Sequence, residues 1–187
     1  VNYTGSDRDD IETWEDLAAM DEVDWGIEGF GTSNSFVSIV FNETAGIPVN
    51  FVTGYQGSPD VRRAVVQGEL DVSQHSVSSA GPMIREGDLK PLVVYARREN
   101  IPDWMPDVPH TTEEVDRFQG FADNLNVSRI ISGPPGIPDD AAQTLEDTLW
   151  TTFQSDELQQ WGEEAQRALT GQVRGEEAGE IIEGSIT

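Results

Sequence analysis

Short apolar runs alternate with segments of helical periodicity over residues 23–96, and this alternation constrains the fold more than any other feature. Four runs have the length and composition of buried strands: 23–28, 48–53, 70–74 and 89–96. Helical patterns lie between them, at 33–45, 58–67 and 77–86. This succession is typical of a parallel sheet covered by helices. We therefore predict an α/β fold in which 23–28, 49–53 and 70–74 are parallel neighbours, with their C-terminal ends at one edge.

The stretch WGIEGFGTSNSF, residues 25–36, joins the first of these strands to the helix that follows it. A glycine-rich turn that enters a helix exposes backbone N–H groups at the helix N-terminus, and such groups attract anions. The alternative is a plain connection in which Gly29 and Gly31 only permit a tight bend. The twelve residues by themselves leave both interpretations open.

Residues just beyond the second and third strands belong to the same predicted edge. His75 follows the third strand, where open α/β sheets place their ligands. Ser58 and Pro59 have the pattern of a helix start, with a hydroxyl at the N-cap and proline in the first turn. An ordinary cap accounts for Ser58 at least as well as ligand binding does. The apolar residues of these elements, such as Phe36, Val65 and Leu92, are predicted to be core.

The second half of the chain has a different pattern. The proline-rich piece IPDWMPDVPH, residues 101–110, continues neither a helix nor a strand and marks a linker, and we interpret His110 within it as structural or surface. A short strand is predicted around 129–132. Helices are predicted after it near 139–154, 156–169 and 175–183, with Asp139 and Asp140 capping the first.

The net charge of −24 comes from 35 acidic residues set against ten arginines and a single lysine, Lys90. Nucleic acid is a poor partner for such a chain, because phosphate binding needs a basic surface. Dispersed acid with almost no lysine favours a protein that works in high salt, where repulsion is screened within roughly 3 Å at 1 M. The alternative, a divalent-cation buffer, needs ligand-spaced loops, and the D-x-D-x-D-G pattern does not occur.

The usual catalytic patterns are missing from the sequence. There is no G-x-S-x-G, no H-E-x-x-H and no G-K-[ST], and the GFG at 29–31 lacks the third glycine of the dinucleotide fingerprint. The chain has no cysteine, which excludes disulfides and thiolate metal sites. No apolar run approaches the ~20 residues of a membrane span. We therefore predict a protein that is not an enzyme, with no cofactor, no metal site and no membrane-spanning segment.

Six short motifs follow one another along the chain: GFGTS at 29–33, FVTGYQGSP at 51–59, QGELD at 67–71, REGDLKPL at 85–92, PDVP at 106–109 and SGPPGIP at 132–138. In this order they resemble the motifs of the substrate-binding receptors of tripartite tricarboxylate transporters, the TctC or Bug family. The combination of P-D-V-P with P-P-G-x-P is fairly specific, and the six motifs together span nearly the whole chain.

The resemblance implies a two-lobed α/β protein of the type II periplasmic-binding-protein class, with parallel-sheet lobes and flanking helices. Applied to this chain, it implies four parts: a hinge segment at 1–13, a complete lobe at 14–93, a proline-rich crossing segment at 94–117 and the C-terminal part of the other lobe at 118–187. The family begins with a further α/β half-lobe, whose Pro-Gly-Gly turn helps to hold the carboxylate. We expect this chain to lack that half-lobe.

The resemblance also makes the loop residues at the predicted sheet edge candidates for ligand binding, with N–H and hydroxyl donors in place of lysine. These candidates are Gly29, Gly31, Thr32, Ser33, Tyr55, Gln56, Ser58, Gln74, His75 and Ser76. The implied ligand is a small carboxylate of the di- or tricarboxylate kind, and the implied partners are membrane permease subunits. The implied location is extracytoplasmic, with anchoring through an absent N-terminal segment. The alternative is a sensory or structural module on the same fold that binds little.

His75 departs from the family, in which many members have an acid at this position. An acid could receive an ammonium group of the ligand, whereas a histidine would donate to an anion. We therefore expect plain carboxylates, rather than amino acids, as ligands.

The charge pattern predicts that the folded chain depends on salt. Removal of molar KCl should unfold it, because acidic side chains on the helix surfaces then repel one another without screening. Circular dichroism at decreasing salt measures this effect. Equal stability in dilute buffer and at molar salt would contradict the interpretation of the protein as halophilic.

Overall fold

The computed structural model describes residues 1–96, 101–105, 107–110, 118, 130–165, 169 and 172–184. The chain divides into two compact units, residues 1–127 and 128–187. Four strands and four helices of the first unit were expected from the sequence, including a short helix opened by a capping box at Thr13, and one further strand was not. No helix among the described residues is both long enough and apolar enough to cross a bilayer.

The first unit is built on a five-stranded sheet with helices between the strands. Its elements are β1 (Asn2–Gly5), α1 (Trp14–Ala18), β2 (Val23–Gly26), α2 (Ser33–Ala45), β3 (Val49–Val52), α3 (Ser58–Val66), β4 (Val72–Gln74), α4 (Val77–Glu86) and β5 (Leu89–Val93). The strand order is β3-β2-β4-β1-β5. β2 pairs in parallel with both β3 and β4. The predicted α/β class and the parallel neighbours are therefore confirmed.

β1 lies between β4 and β5 and runs antiparallel to both, and no pattern in the sequence predicted it. All four of its residues are buried, although Asn2 and Thr4 are polar, so the strand lacks the apolar run that identified the others. Because β1 reverses direction, β5 again runs parallel to β2, β3 and β4. Pro91 is tolerated in β5 because this strand forms the edge of the sheet.

Each face of the sheet has its own apolar cluster. One cluster packs Trp25 of β2 against Val37 and Phe41 of α2, and the other packs Tyr3 of β1 against Val61 and Val65 of α3. The predictions of Val65 and Leu92 as core are confirmed by their burial. The prediction for Phe36 is wrong: its side chain is 60 % exposed. Val37 and Phe41 provide the buried stripe of α2, and Phe36 lies off that stripe.

The helix ends follow local rules with one exception. Thr32 caps α2, and Gly46 ends it in the left-handed conformation at φ 72°. The prediction of Ser58 as the N-cap of α3 is wrong, because Gly57 occupies that position and Ser58 begins the helix. The Ser58 hydroxyl is thereby free to bond elsewhere.

In the second unit the described residues form three helices: α5 (Asp139–Phe153), α6 (Asp156–Glu164) and α7 (Gly175–Gly184). All three were predicted, but α6 ends earlier than expected. The prediction that Asp139 and Asp140 cap α5 is wrong: the N-cap is Pro138, and both residues lie in the first turn, where their charge complements the helix dipole. The strand predicted around 129–132 is not formed at 130–132, and Arg129 lies outside the described residues.

A side chain added at Gly26 would test how closely α3 packs on β2. A Cβ added at Gly26 would lie 2.4 Å from Leu70 Cδ1 and 2.9 Å from Val61 Cγ1. We expect Gly26→Ala to lower the free energy of unfolding by about 1–3 kcal/mol, because the site is already full. Gly29→Ala is the control, since its Cβ meets nothing within 4 Å. Chemical denaturation at molar salt measures both variants, and equal stability would contradict the described packing.

Candidate functional site

Three loops meet at the edge where β2, β3 and β4 end. Because these strands are parallel neighbours, their C-terminal ends lie side by side, followed by the N-termini of α2, α3 and α4. Open α/β sheets place ligands at such an edge. This arrangement brings residues 27–32, 53–57 and 75–76 to one part of the first unit.

The loop before α2 is held by Ser35, a residue that the sequence analysis missed. The Ser35 Oγ accepts from the N–H groups of Gly31 and Thr32, at 3.2 and 3.1 Å. The Thr32 hydroxyl in turn caps the Ser35 N–H at 3.1 Å. The turn requires Gly31, whose φ is +106°. With the Ser35 N–H capped, the N–H groups of Ser33 and Asn34, the first two residues of α2, have no partner within an α-helix and are available to an anion.

The acidic residues avoid two helix N-termini at this edge. Of the seven helices in the described residues, five have Asp or Glu in the first turn, whereas α2 and α4 have none. In a chain with 35 acidic residues, this leaves the positive dipole ends of α2 and α4 without a neutralising carboxylate of their own. Ser76 is the N-cap of α4, and its hydroxyl lies 3.1 Å from that of Ser79.

A chain of hydrogen bonds crosses the edge from β1 to α3. The Tyr3 hydroxyl lies 2.6 Å from Nδ1 of His75, and Nε2 of His75 lies 2.8 Å from Oε1 of Glu28. Ser58 donates its hydroxyl to the same Glu28 oxygen at 2.5 Å. Asn34 approaches this oxygen at 3.4 Å. Four elements, β1, β4, α2 and α3, therefore fix the Glu28 side chain at the end of β2.

The partners of His75 determine its protonation. A carboxylate only accepts, so Nε2 carries the proton and donates to Glu28. The neutral ring then accepts at Nδ1 from the Tyr3 hydroxyl. Burial lowers the pKa of His75 and raises that of Tyr3, which keeps both groups neutral. The hydrogen bond from His75, with that from Ser58, lowers the pKa of Glu28 to about 2, so this side chain is charged.

Arg62 of α3 is a described cation that acts on this hydrogen-bond chain. After burial, which is the largest influence on the pKa of both groups, its charge lowers the pKa of His75 and of Tyr3. Its Nε and Nη1 atoms are shielded from solvent and have no hydrogen-bond partner. By contrast, Arg8 and Arg63 bond to aspartates. The difference between Arg62 and its neighbour Arg63 was not predicted from the sequence, because it depends on which side of α3 faces the sheet.

The other predicted site residues are placed differently. Tyr55 is half-buried and packs against the apolar cluster around Tyr3, and Gln56 is exposed. Gln74 is buried, and its Oε1 has no hydrogen-bond partner. It pairs with Asn2 and faces away from His75, because successive residues of a strand alternate between faces. The binding roles of the ten candidates stay predictions.

No group of three or more His, Asp or Glu side chains in the described part of the chain is arranged to hold a metal ion. The site instead offers backbone N–H groups, hydroxyls, one charged carboxylate and one guanidinium. Such groups bind a small polar ligand by hydrogen bonds and dipoles.

A family model for the tripartite tricarboxylate transporter family receptor, TctC, matches residues 16–164. No curated protein matches the chain. Three similar solved structures each share 17 % sequence identity with this chain. A similarity at this level of identity shows the fold alone.

A TctC solute-binding protein from Polaromonas, without ligand, has a TM-score of 0.71 over 98 % of this chain and 62 % of its own. An R. palustris protein with adipate has a TM-score of 0.72 over 98 % and 60 %. MatC from Rhodopseudomonas palustris, with bound malate, has a TM-score of 0.69 over 100 % and 63 %. The chain thus spans about three fifths of the length of these structures.

The neutral state of His75 predicts a loss of stability in acid. Its pKa in the folded protein lies below the unfolded value of 6.5, so its contribution is complete above that value and declines as pH falls. Glu28 adds a second decline below its unfolded pKa of 4.5. We expect His75→Gln to flatten the first decline, between pH 7.5 and 5, because glutamine does not titrate. Denaturation curves at constant salt measure this, and an unchanged slope would contradict the assignment.

Proposed function

The chain belongs to the tripartite tricarboxylate transporter receptor family, and on this premise we propose that it captures a small carboxylate for a membrane transporter. The proposal has two levels. The first is reversible binding of a carboxylate at the loop edge of the sheet. The second is delivery of that ligand to permease subunits, which rests on the family alone.

Carboxylate binding is supported by one observation above all: the first turns of α2 and α4 contain no Asp or Glu. A carboxylate at a helix N-terminus accepts charge-assisted hydrogen bonds from N–H groups that have no partner in the helix. These donors are dipoles, so the site needs no lysine. A chain with a net charge of −24 repels anions over much of its surface, and at this edge the helix dipoles of α2 and α4 act against that repulsion.

Two of the similar structures support the same ligand class. One has adipate and one has malate, and both are carboxylates. In this proposal one end of such a molecule binds to the first N–H groups of α2 and to Ser76 at the start of α4.

The hydrogen-bond chain does not favour catalysis as an alternative. Ser58 donates to Glu28, and not to His75, and the lowered pKa of Glu28, about 2, makes this carboxylate a weak base for the proton of the hydroxyl. The two ring nitrogens of His75 face Tyr3 and Glu28. Binding without chemical change is the function that this arrangement supports best.

Location and partners follow from the family in this proposal. A receptor of this kind meets its ligand outside the cytoplasm and presents it to permease subunits in the membrane. We propose an extracytoplasmic location for this chain, with attachment to the membrane through a segment outside the 187 residues.

Gly29 provides the sharpest test of carboxylate binding. Gly31 is unsuitable, because its φ of +106° would strain any side chain, whereas Gly29 has open space around its Cβ position. We expect succinate, malate or adipate at millimolar concentration to raise the melting temperature of the wild type by mass action. Gly29→Val should weaken this shift at least tenfold in ligand concentration, because the side chain occupies the space over the turn.

Gly179→Ala in α7 is the control, since a Cβ there also meets nothing within 4 Å, and this variant should keep the full shift. Backbone amide resonances of residues 29–35 should move on titration with the same ligands. If no carboxylate changes the melting temperature or these resonances, the receptor function is wrong for this chain. A sensory or structural module on the same fold would then be favoured.

A further inference from the structure

Glu28 has unused hydrogen-bonding capacity at the centre of the loop edge. Its Oε1 receives Ser58 and His75, and its Oε2 is shielded from solvent without any hydrogen-bond partner. A carboxylate can accept about four hydrogen bonds. A charged oxygen that is buried without a donor is costly, and in a native protein it calls for an explanation. A donor supplied by a ligand is one such explanation.

His75 is not available to supply or receive that bond. Both of its ring nitrogens have partners within the protein, Tyr3 and Glu28. The expectation that His75 donates to an anionic ligand therefore loses its basis. The group that a ligand meets next to the turn is the carboxylate of Glu28, which accepts hydrogen bonds and cannot donate them.

The position of Glu28 makes it a neighbour of any anion held by the turn. It directly precedes Gly29, and its side chain retains 16 % exposure. The two hydrogen bonds to Oε1 keep the carboxylate in place, so the oxygen left for a donor on the ligand is Oε2. A ligand with only carboxylates would place like charges close together, which is unfavourable. A ligand that also carries a donor would offset this repulsion.

We propose that the ligand carries a hydrogen-bond donor on the carbon next to its carboxylate, and that Glu28 accepts from this donor while the α2 N-terminus binds the carboxylate. The inference rests on the proposed carboxylate-binding function and narrows its ligand class. Ammonium is favoured over hydroxyl, because a bond between opposite charges is stronger. His75 and Tyr3 are positioning residues in this scheme, since they orient Glu28 and need not touch the ligand.

Three ligands with the same carbon skeleton test the proposal. Succinate, malate and aspartate differ at one carbon, which bears hydrogen, hydroxyl or ammonium. Titration of the wild-type chain by calorimetry or amide NMR, at molar salt and pH 7, gives the three dissociation constants. We expect aspartate to bind roughly tenfold to a hundredfold more tightly than succinate, with malate between them.

Glu28→Gln removes the negative charge of this side chain and keeps its shape, so it tests whether the charge causes the preference. This variant should reduce the preference for aspartate over succinate several-fold, mainly by weakening aspartate. Glu22→Gln is the matched control: it also removes one negative charge, but at an exposed position just before β2, at the opposite end of that strand. It should keep the wild-type preference. The variants are compared only after their melting curves confirm folding.

Each outcome has a defined meaning. Succinate binding as tightly as aspartate and malate would overturn the inference and leave carboxylate binding intact. An unchanged preference in folded Glu28→Gln would also overturn it. If Glu28→Gln does not fold, the ligand series on the wild type decides alone. Failure of all three ligands, together with adipate, to bind would contradict the proposed function and this inference with it.

Discussion

The antiparallel insertion of β1 between β4 and β5 is the constraint on which the rest of the first unit depends. Its backbone pairs Asn2 with Gln74 on one side and Gly5 with Leu89 on the other. Without it, β4 and β5 would each expose an unpaired edge. The same strand places Tyr3 against His75, with the ring centroids 5.9 Å apart. The tautomer of His75 and the orientation of Glu28 therefore depend on this pairing.

The two ends of the sheet differ in the groups that lie next to the acidic side chains. At the N-terminal end of β4, Asp71 bonds to Arg8 and accepts the backbone N–H of Asp24 at 2.8 Å. Lys90, the single lysine, bonds to Glu12. Among the described residues, Arg8 and Lys90 are thus committed away from the loop edge. At the C-terminal end, the described groups are backbone N–H groups, hydroxyls and the Arg62 guanidinium.

The chain from Tyr3 through His75 to Glu28 resembles catalytic hydrogen-bond networks in composition but not in order. In such networks a base faces a nucleophile, whereas here the histidine lies between a phenol and a carboxylate. The result is a charged side chain held rigidly at the end of β2. In the proposed receptor, a fixed carboxylate of this kind would discriminate between ligands by charge and by donor content.

The sequence by itself determined the local features of this protein. Apolar runs, glycine stops and the Thr32 cap depend on residues close in the chain, so β2 to β5 and the helices between them could be predicted, together with the family and the edge where the loops meet. Three features could not be predicted: the burial of the polar strand β1, the exposure of Phe36 and the position of Ser58 inside α3 rather than at its N-cap. Each depends on which distant surface packs against the residue. The same applies to His75. Its place after a strand predicts a donor to ligands, whereas in the folded chain its two ring nitrogens contact Tyr3 and Glu28, so that it orients the Glu28 carboxylate.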